Sequence, residues 1–410
     1  MNIAIFNTLA KSGSTGKIAY GLQCYLKAHG HNTYLFYGRQ DEKVSNEETD
    51  IIRIGTNLDL LLHGAFSRLL GGEGIYSCHA TKQLIEKLKE LKIEAVCLLN
   101  IHGYYLNFPM LFKFLGENKL HTVYVMLDEY PMMGKCAYAC ECEKFLTECR
   151  DCPQIHTYPK SLFFDSSRRM FWRKKAAYDA VPDCIFTAVG YTIARARESA
   201  LLRGRLYYTA DEAVDLRNLF YPRDTARLRE ELRIPKDNKI IVTVTPYPNE
   251  RKGGQFFLEA ARRMQDRKDI SFVHVGFMAA PEICPPNYIP IGYVKDQNLL
   301  AEYYSLGDLF LQMSRAETIP AAILEALSCG TPVLGFNISG IPSTADEAHG
   351  VFVEYGNVEE IVKVISDAPI KNAATSASCR AYAESRYDSV EYNRKLMGLL
   401  TGEIPPEGRL

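Results

Sequence analysis

Ser314-Arg315-Ala316-Glu317-Thr318-Ile319-Pro320-Ala321-Ala322-Ile323-Leu324-Glu325-Ala326-Leu327-Ser328-Cys329-Gly330-Thr331-Pro332-Val333 is the stretch from which the fold can be read. The apolar run Leu309–Met313 before it reads as a strand. Glu317 then lies just beyond that strand, and Pro320 suits the first turn of a helix. Glu325 falls in the second turn, Gly330 stops the helix, and Pro332-Val333 opens the next strand. One carboxylate on a loop and one on a helix can so point into a common cleft. Ionised carboxylates only accept hydrogen bonds, which suits paired hydroxyls such as a ribose diol or two neighbouring hydroxyls of a hexose. An isolated pair of glutamates would read as solvated helix-terminus charges; the flanking apolar and turn residues favour the cleft.

Working outward, Lys239–Thr245, Ile270–Gly276 and Pro332–Phe336 read as further strands. Gly254–Gln265, Asn298–Leu306 and Pro320–Ser328 read as the helices between them. The first half repeats the rhythm. Residues 2–7, Asn32–Tyr37, Ala95–Asn100, His121–Leu127 and Cys184–Ala188 read as strands. Residues 16–29, Thr81–Leu91 (with Thr81 as N-cap) and Phe108–Leu115 read as helices. Strand–helix–strand alternation predicts an α/β chain with two doubly wound parallel sheets, whose strand carboxyl ends build sites. Between about 128 and 180 the rhythm breaks into an insertion.

Size and composition agree. A chain of 410 residues suits two domains, and 47% hydrophobic with 24% charged residues is the balance of a globular protein. A formal net charge of −1 gives no global field for nucleic acid. No apolar run reaches the roughly 18 residues that span a bilayer. Met1–Phe6 lacks a basic leader and a cleavage site, so it reads as a buried strand and the expected location is the cytoplasm.

Asn249-Glu250-Arg251-Lys252-Gly253-Gly254 lies between a strand and a helix. Two cations and two glycines at a helix N-terminus can cradle a pyrophosphate. Asn337-Ile338-Ser339-Gly340-Ile341-Pro342-Ser343 follows the strand ending at Phe336, and its small residues let backbone amides approach a phosphate. Gly13-Ser14-Thr15-Gly16-Lys17 opens the first helix but is no Walker loop, because Lys11 stands five before Gly16 and no Ser or Thr follows Lys17. A tight strand-to-helix turn accounts for it equally well.

These stretches resemble the large retaining family of GT-B glycosyltransferases. Glu317 and Glu325 match its E-x7-E segment, and the continuation through Gly330-Thr331-Pro332-Val333 matches too. The resemblance implies two Rossmann-like domains facing a central cleft: 1–204 for the acceptor, 205–386 for the nucleotide sugar, and a C-terminal helix in 387–410 crossing back. It implies that Glu317 holds the donor sugar and Glu325 the ribose, that Arg251 and Lys252 bind the diphosphate, that Thr318, Gly340 and Ile341 contact the donor, and that the loop of Gly13 and Gly16 touches donor phosphate or acceptor. Asn100-Ile101-His102-Gly103-Tyr104-Tyr105-Leu106-Asn107 resembles a bacterial exopolysaccharide and capsule subgroup, whose pattern Asp128 also matches as a catalytic-site residue; at its strand end His102 could orient an acceptor hydroxyl, a structural histidine being the alternative. There the residue before Asp128 is usually His; here it is Leu127. Many members also carry an Arg where this chain has Pro246.

The implied activity is metal-independent retaining transfer of a hexose from a UDP- or GDP-sugar to a saccharide or lipid-linked acceptor in surface-polysaccharide synthesis. Two rivals share the architecture: a sugar-nucleotide epimerase, and a non-catalytic sugar-nucleotide-binding or scaffolding protein, which Leu127 prompts together with Glu212-Ala213, where the family often has Asn-Gly before Val214-Asp215. In the insertion, Cys136, Cys142, Cys149 and Cys152 could close a structural zinc site, with free thiols or local disulfides as alternatives. Arg168-Arg169-Met170-Phe171-Trp172-Arg173-Lys174-Lys175 reads either as a basic helix on the inner face of a membrane, contacting it through 166–175, or as a solvated helix with its aromatics in the core.

Overall fold

The computed structural model describes residues 1–247, 249–277 and 281–410. The chain divides into two compact units, Met1–Ala210 with Val390–Leu410, and Asp211–Ser389.

In the first unit, strands β1 (Asn2–Asn7), β2 (Asn32–Tyr37), β3 (Ile51–Arg53), β4 (Ala95–Leu98), β5 (His121–Val125), β6 (Ile185–Ala188) and β7 (Leu206–Thr209) alternate with helices. The helices are α1 (Gly13–Ala28), α2 (Asn57–Leu70), α3 (Cys78–Glu90), α4 (Phe108–Glu117), α5 (Ser167–Ala180) and α6 (Gly190–Glu198). In the second unit the strands are β8 (Lys239–Tyr247), β9 (Ile270–Phe277), β10 (Tyr288–Ile291), β11 (Leu309–Gln312), β12 (Val333–Phe336) and β13 (Gly350–Val353). Its helices are α7 (Ala226–Glu231), α8 (Gly254–Arg263), α9 (Gln297–Leu306), α10 (Ala321–Ser328), α11 (Val358–Asp367) and α12 (Ala373–Arg386). Helix α13 (Ser389–Thr401) and strand β14 (Gly408–Arg409) follow, and β14 adds to β7 in antiparallel sense.

The first sheet runs β14-β7-β6-β5-β4-β1-β2-β3 and the second β10-β9-β8-β11-β12-β13. Apart from β14 the pairings are parallel. Helices cover both faces of such sheets, which is why their strands read as unbroken apolar runs. Ile3, Ala4, Ile5 and Phe6 of β1 are all fully buried. Each sheet reverses its winding once: between β1 and β4 in the first, between β8 and β11 in the second. At those points successive loops diverge and leave a crevice at the strand carboxyl ends.

Local chemistry sets the helix starts. Thr56 and Asp59 form a reciprocal capping box on α2, and Asn107 caps α4. Three expectations shift. Helix α3 begins at Cys78, because the Thr81 hydroxyl is not a cap but accepts the Asn107 amide at 2.9 Å. Pro320 stands at the N-cap of α10, outside its first turn. Helix α1 begins at Gly13, so the 13–17 segment is its first turn, not a free loop.

Candidate functional site

The second winding reversal is where the predicted donor residues gather. The loop after β8 brings Arg251 and Lys252, and the loop after β11 brings Glu317. Lys252 Nζ donates to Glu317 Oε1 at 2.6 Å and Arg251 Nη1 donates to the same oxygen at 3.2 Å. Arg251 Nη1 also reaches the Ala316 carbonyl at 2.8 Å, and the Arg315 amide returns to the Arg251 carbonyl at 2.8 Å. The carboxylate is sealed and the cations are not: side-chain exposure is 7% for Glu317, 37% for Arg251 and 30% for Lys252.

Two glycines allow this convergence. Gly253 has φ 72°, and a Cβ there would lie 1.7 Å from the Met313 carbonyl oxygen. At Gly340 a Cβ would lie 1.7 Å from the Thr318 carbonyl oxygen. Any side chain at either position would push the two loops apart. The loop after β12 is tied in by the Gly340 amide donating to the Glu317 carbonyl at 2.9 Å and the Glu317 amide to Ser339 Oγ at 3.1 Å. The Ile341 side chain is fully buried and its amide donates to the Ile338 carbonyl at 3.3 Å. Arg251, Lys252, Glu317, Thr318, Gly340 and Ile341 are therefore brought together. Glu325 sits further along α10 with its carboxylate accepting from the Tyr304 hydroxyl of α9 at 2.7 Å.

The first winding reversal holds a different assembly. His102 Nε2 donates to Asp128 Oδ2 at 2.6 Å, and His102 Nδ1 meets the Tyr158 hydroxyl at 2.9 Å. The tautomer follows from this network, since a carboxylate can only accept. Asp128 Oδ1 accepts the Tyr130 amide at 3.0 Å. Sequence reasoning named His102 and Asp128 but missed Glu73. This buried carboxylate accepts from the amides of Gly103 at 2.8 Å and Tyr104 at 3.2 Å, and from the Tyr130 hydroxyl at 2.6 Å. The signal was a lone acid inside Gly71-Gly72-Glu73-Gly74, whose three glycines all have positive φ. Its hold on two successive amides steadies Tyr104, a non-glycine residue at φ 72°, a conformation that costs of order 1–3 kcal/mol.

Lys174 is fully buried beside this network. It donates to the carbonyls of Tyr130 at 2.5 Å and Met133 at 2.9 Å, and lies 3.1 Å from the centre of the Tyr130 ring. Burial pushes its ammonium down to about 7, against the pull of Glu73 and of Cys136. Gly13 and Gly16 lie near the same crevice. There Asp41 accepts the amides of Lys11 and Ser12 at 2.7 and 2.8 Å and the Ser12 hydroxyl at 2.6 Å. Burial pushes Asp41 up, yet the Ser12 hydroxyl and these amides outweigh it and hold the carboxyl below its usual value. An internal carboxylate thus already occupies the amides that lead into α1.

The structure gives the zinc expectation no support. Cys136, Cys142, Cys149 and Cys152 do line one small cavity, together with Lys135, Lys144 and Arg150. All four are free thiols, and among the described residues no group of three or more His, Cys, Asp or Glu is placed to hold a metal ion. Burial pushes the Cys136 thiol to about 12 and Cys149 to about 11, so they pack as protonated apolar groups against Met133 and Phe145. The basic segment is split as well. Phe171 and Lys174 face the core, whereas Trp172 is half-exposed and donates to Glu148. Among the described residues no helix is long and apolar enough to cross a membrane.

Comparison with known proteins places this geometry. Residues 238–368, which span the second winding reversal, match the family model of glycosyl transferases group 1. The Escherichia coli K12 protein WcaC, named for glycosyl transfer in colanic acid biosynthesis, is 22% identical over 378 residues, covering 89% of this chain and 90% of its own. Sucrose-phosphate synthase from Thermosynechococcus elongatus superposes with a TM-score of 0.67 at 15% identity, over 98% of both chains. Anabaena Alr3699/HepE, solved with UDP-glucose, gives 0.64 at 13% identity over 98% of this chain and 100% of its own. Residues 238–368 of the second unit thus match a glycosyl transferases group 1 model, and the chain has the two-domain α/β fold of these GT-B structures.

Proposed function

We propose that the protein is a retaining glycosyltransferase that moves a hexose from a UDP- or GDP-sugar onto a saccharide or lipid-linked acceptor in bacterial surface-polysaccharide synthesis. The observation that carries this reading is the convergence of Arg251, Lys252 and Glu317 at the carboxyl ends of β8 and β11. A buried carboxylate held by two partly exposed cations can exchange partners. When a nucleoside diphosphate sugar enters, the cations turn to the diphosphate and the carboxylate accepts from hydroxyls of the sugar. Glu325, steadied by Tyr304, takes the ribose diol. The name of WcaC supports the polysaccharide setting, and the UDP-glucose complex of HepE supports the donor class.

Chemistry follows from charge. The bond from the anomeric carbon to the β-phosphate oxygen breaks while Arg251 and Lys252 offset the negative charge growing on that phosphate. The acceptor oxygen forms its new bond on the face the phosphate leaves. Its proton passes to the departing phosphate oxygen, so atoms and charge balance without a protein base and without a metal ion. His102 and Asp128 would act on the acceptor side.

The test is donor turnover in Lys252→Ala and Glu317→Ala with a panel of UDP- and GDP-sugars. Each change is expected to lower turnover by about 100-fold or more. Wild-type rates in both would remove the assignment. An α-linked product from an α-linked donor confirms retention, and donor isomerised without any acceptor would favour the epimerase.

A further inference from the structure

Helix α2 is turned inside out. Its buried positions are His63, Gly64 and Ser67, a polar and small set. Its solvent face carries Leu58, Leu61, Leu62, Phe66, Leu69 and Leu70, from 43% exposed at Phe66 to 67% at Leu61. Spacings of three and four put these side chains on one stripe. Ordinary surface helices have the opposite polarity, and a run of this kind marks an interaction face.

The stripe does not end with the helix. The Leu162 amide donates to the Arg68 carbonyl at 2.7 Å, and the Gly72 amide to Ser166 Oγ at 2.9 Å. These bonds lay Leu162-Phe163-Phe164 against the C-terminal end of α2, with Phe163 69% and Phe164 57% exposed. Exposed Trp172 follows on α5.

Cations surround this apolar surface. Lys160, Arg68, Arg169 and Arg173 are all exposed, and Arg169 reaches the Leu70 carbonyl at 3.4 Å. The nearby carboxylates are already engaged. Asp59 closes the capping box, Asp165 accepts the amides of Cys152 and Ser167, and Glu148 pairs with Arg168. An apolar stripe with a cationic border complements an anionic lipid surface. Two copies meeting through this face about a two-fold axis would bring like charges together.

We infer that the outward face of α2, extended by Leu162–Phe164, inserts into the interface of an anionic bilayer and docks the protein there as a peripheral membrane protein. The inference relocates membrane contact from the basic helix itself, which supplies the charged border, to the helix that supplies the apolar face. The inference does not rest on the donor-site reading.

The test is co-sedimentation of the full chain with phosphatidylcholine vesicles, with and without phosphatidylglycerol. Binding is expected only where phosphatidylglycerol is present. Leu58→Ser, Leu61→Ser and Phe66→Ser combined should weaken it at least tenfold while leaving far-UV circular dichroism unchanged, since all three side chains face outward. Lys160→Gln and Arg173→Gln should each weaken it by about fivefold. Unaltered vesicle binding by the triple variant would overturn the inference. So would failure of the wild-type chain to bind either vesicle, or a concentration-dependent dimer in sedimentation velocity that the triple variant abolishes.

Discussion

The two winding reversals are built from the same parts to opposite ends. Both put charged side chains at the carboxyl ends of neighbouring parallel strands, where this topology leaves a crevice. At β8/β11 one carboxylate is sealed and its two cationic partners are partly exposed. Beside β1/β4 an acid and a lysine are both buried: Glu73 bonds to two backbone amides and the Tyr130 hydroxyl, and Lys174 to the carbonyls of Tyr130 and Met133. A charge that must exchange partners during a reaction cycle needs a route to solvent. A charge whose task is to hold a strained turn is better closed off, because low dielectric makes each of its hydrogen bonds harder to break.

The comparison can be broken experimentally. Trp172 is the chain's only tryptophan and lies in the first unit, so its fluorescence reports unfolding there. The largest effect belongs to the second reversal. Lys252→Ala should cost about 3–4 kcal/mol of transition-state stabilisation while leaving the urea transition followed by far-UV circular dichroism, which reports both units, where it was. A shifted transition would mean that this ion pair is also structural.

Next is Glu73→Ala, which strands two amides and the Tyr130 hydroxyl. It should lower first-unit stability by about 3–5 kcal/mol, measured by the Trp172 urea transition, with nucleotide-sugar affinity retained. Loss of affinity with unchanged stability would place Glu73 among ligand-binding groups.

Acid offers the third test. Burial pushes His63 down to about 4, with Glu73 pulling weakly the other way. Its Nδ1 donates to Ser77 and its Nε2 accepts the Gly74 amide at 3.1 Å, so a proton on Nε2 breaks a bond. The unfolded chain binds that proton near pH 6.5 and the folded chain only near 4. Stability is therefore full above pH 6.5 and is lost as pH falls through this window, by about 2–3 kcal/mol. In His63→Gln the Trp172 transition should vary less between pH 6.5 and 4; an unchanged slope would show that other groups dominate.

The smallest effect tests Glu325. Replacement by alanine should raise the donor KM about tenfold with kcat nearly unchanged, as loss of uniform binding requires. A fall in kcat of the same size would move Glu325 into the chemistry.

Legibility in the sequence followed the range of the forces involved. The central strand Asn2–Asn7 could be bounded to the residue, because burial on both faces leaves the apolar run Ile3-Ala4-Ile5-Phe6. Short edge strands such as Ile51–Arg53 and Gly350–Val353 left no such run and went unread. Arg251, Lys252 and Glu317 were found because each follows a readable strand. Glu73 was not, since its partners stand 30, 31 and 57 positions away and no local pattern links them. Helix α2 escaped for another reason: its apolar stripe faces outward, so the usual inference from periodicity to core has nothing to hold. The cysteine spacing suggested a metal site, but spacing along a chain does not fix where thiols point.

Gly253 and Gly340 carry a last implication. With carbonyl oxygens 1.7 Å from where their Cβ atoms would stand, neither position can accept any other residue without moving the backbone of Met313 or Thr318. The seat beneath the ion pair is in effect a single casting. Variants with new sugar preference should therefore arise by changing side chains around its rim, such as Asn249 or Ser343, while libraries that diversify the two glycines should return almost nothing that works.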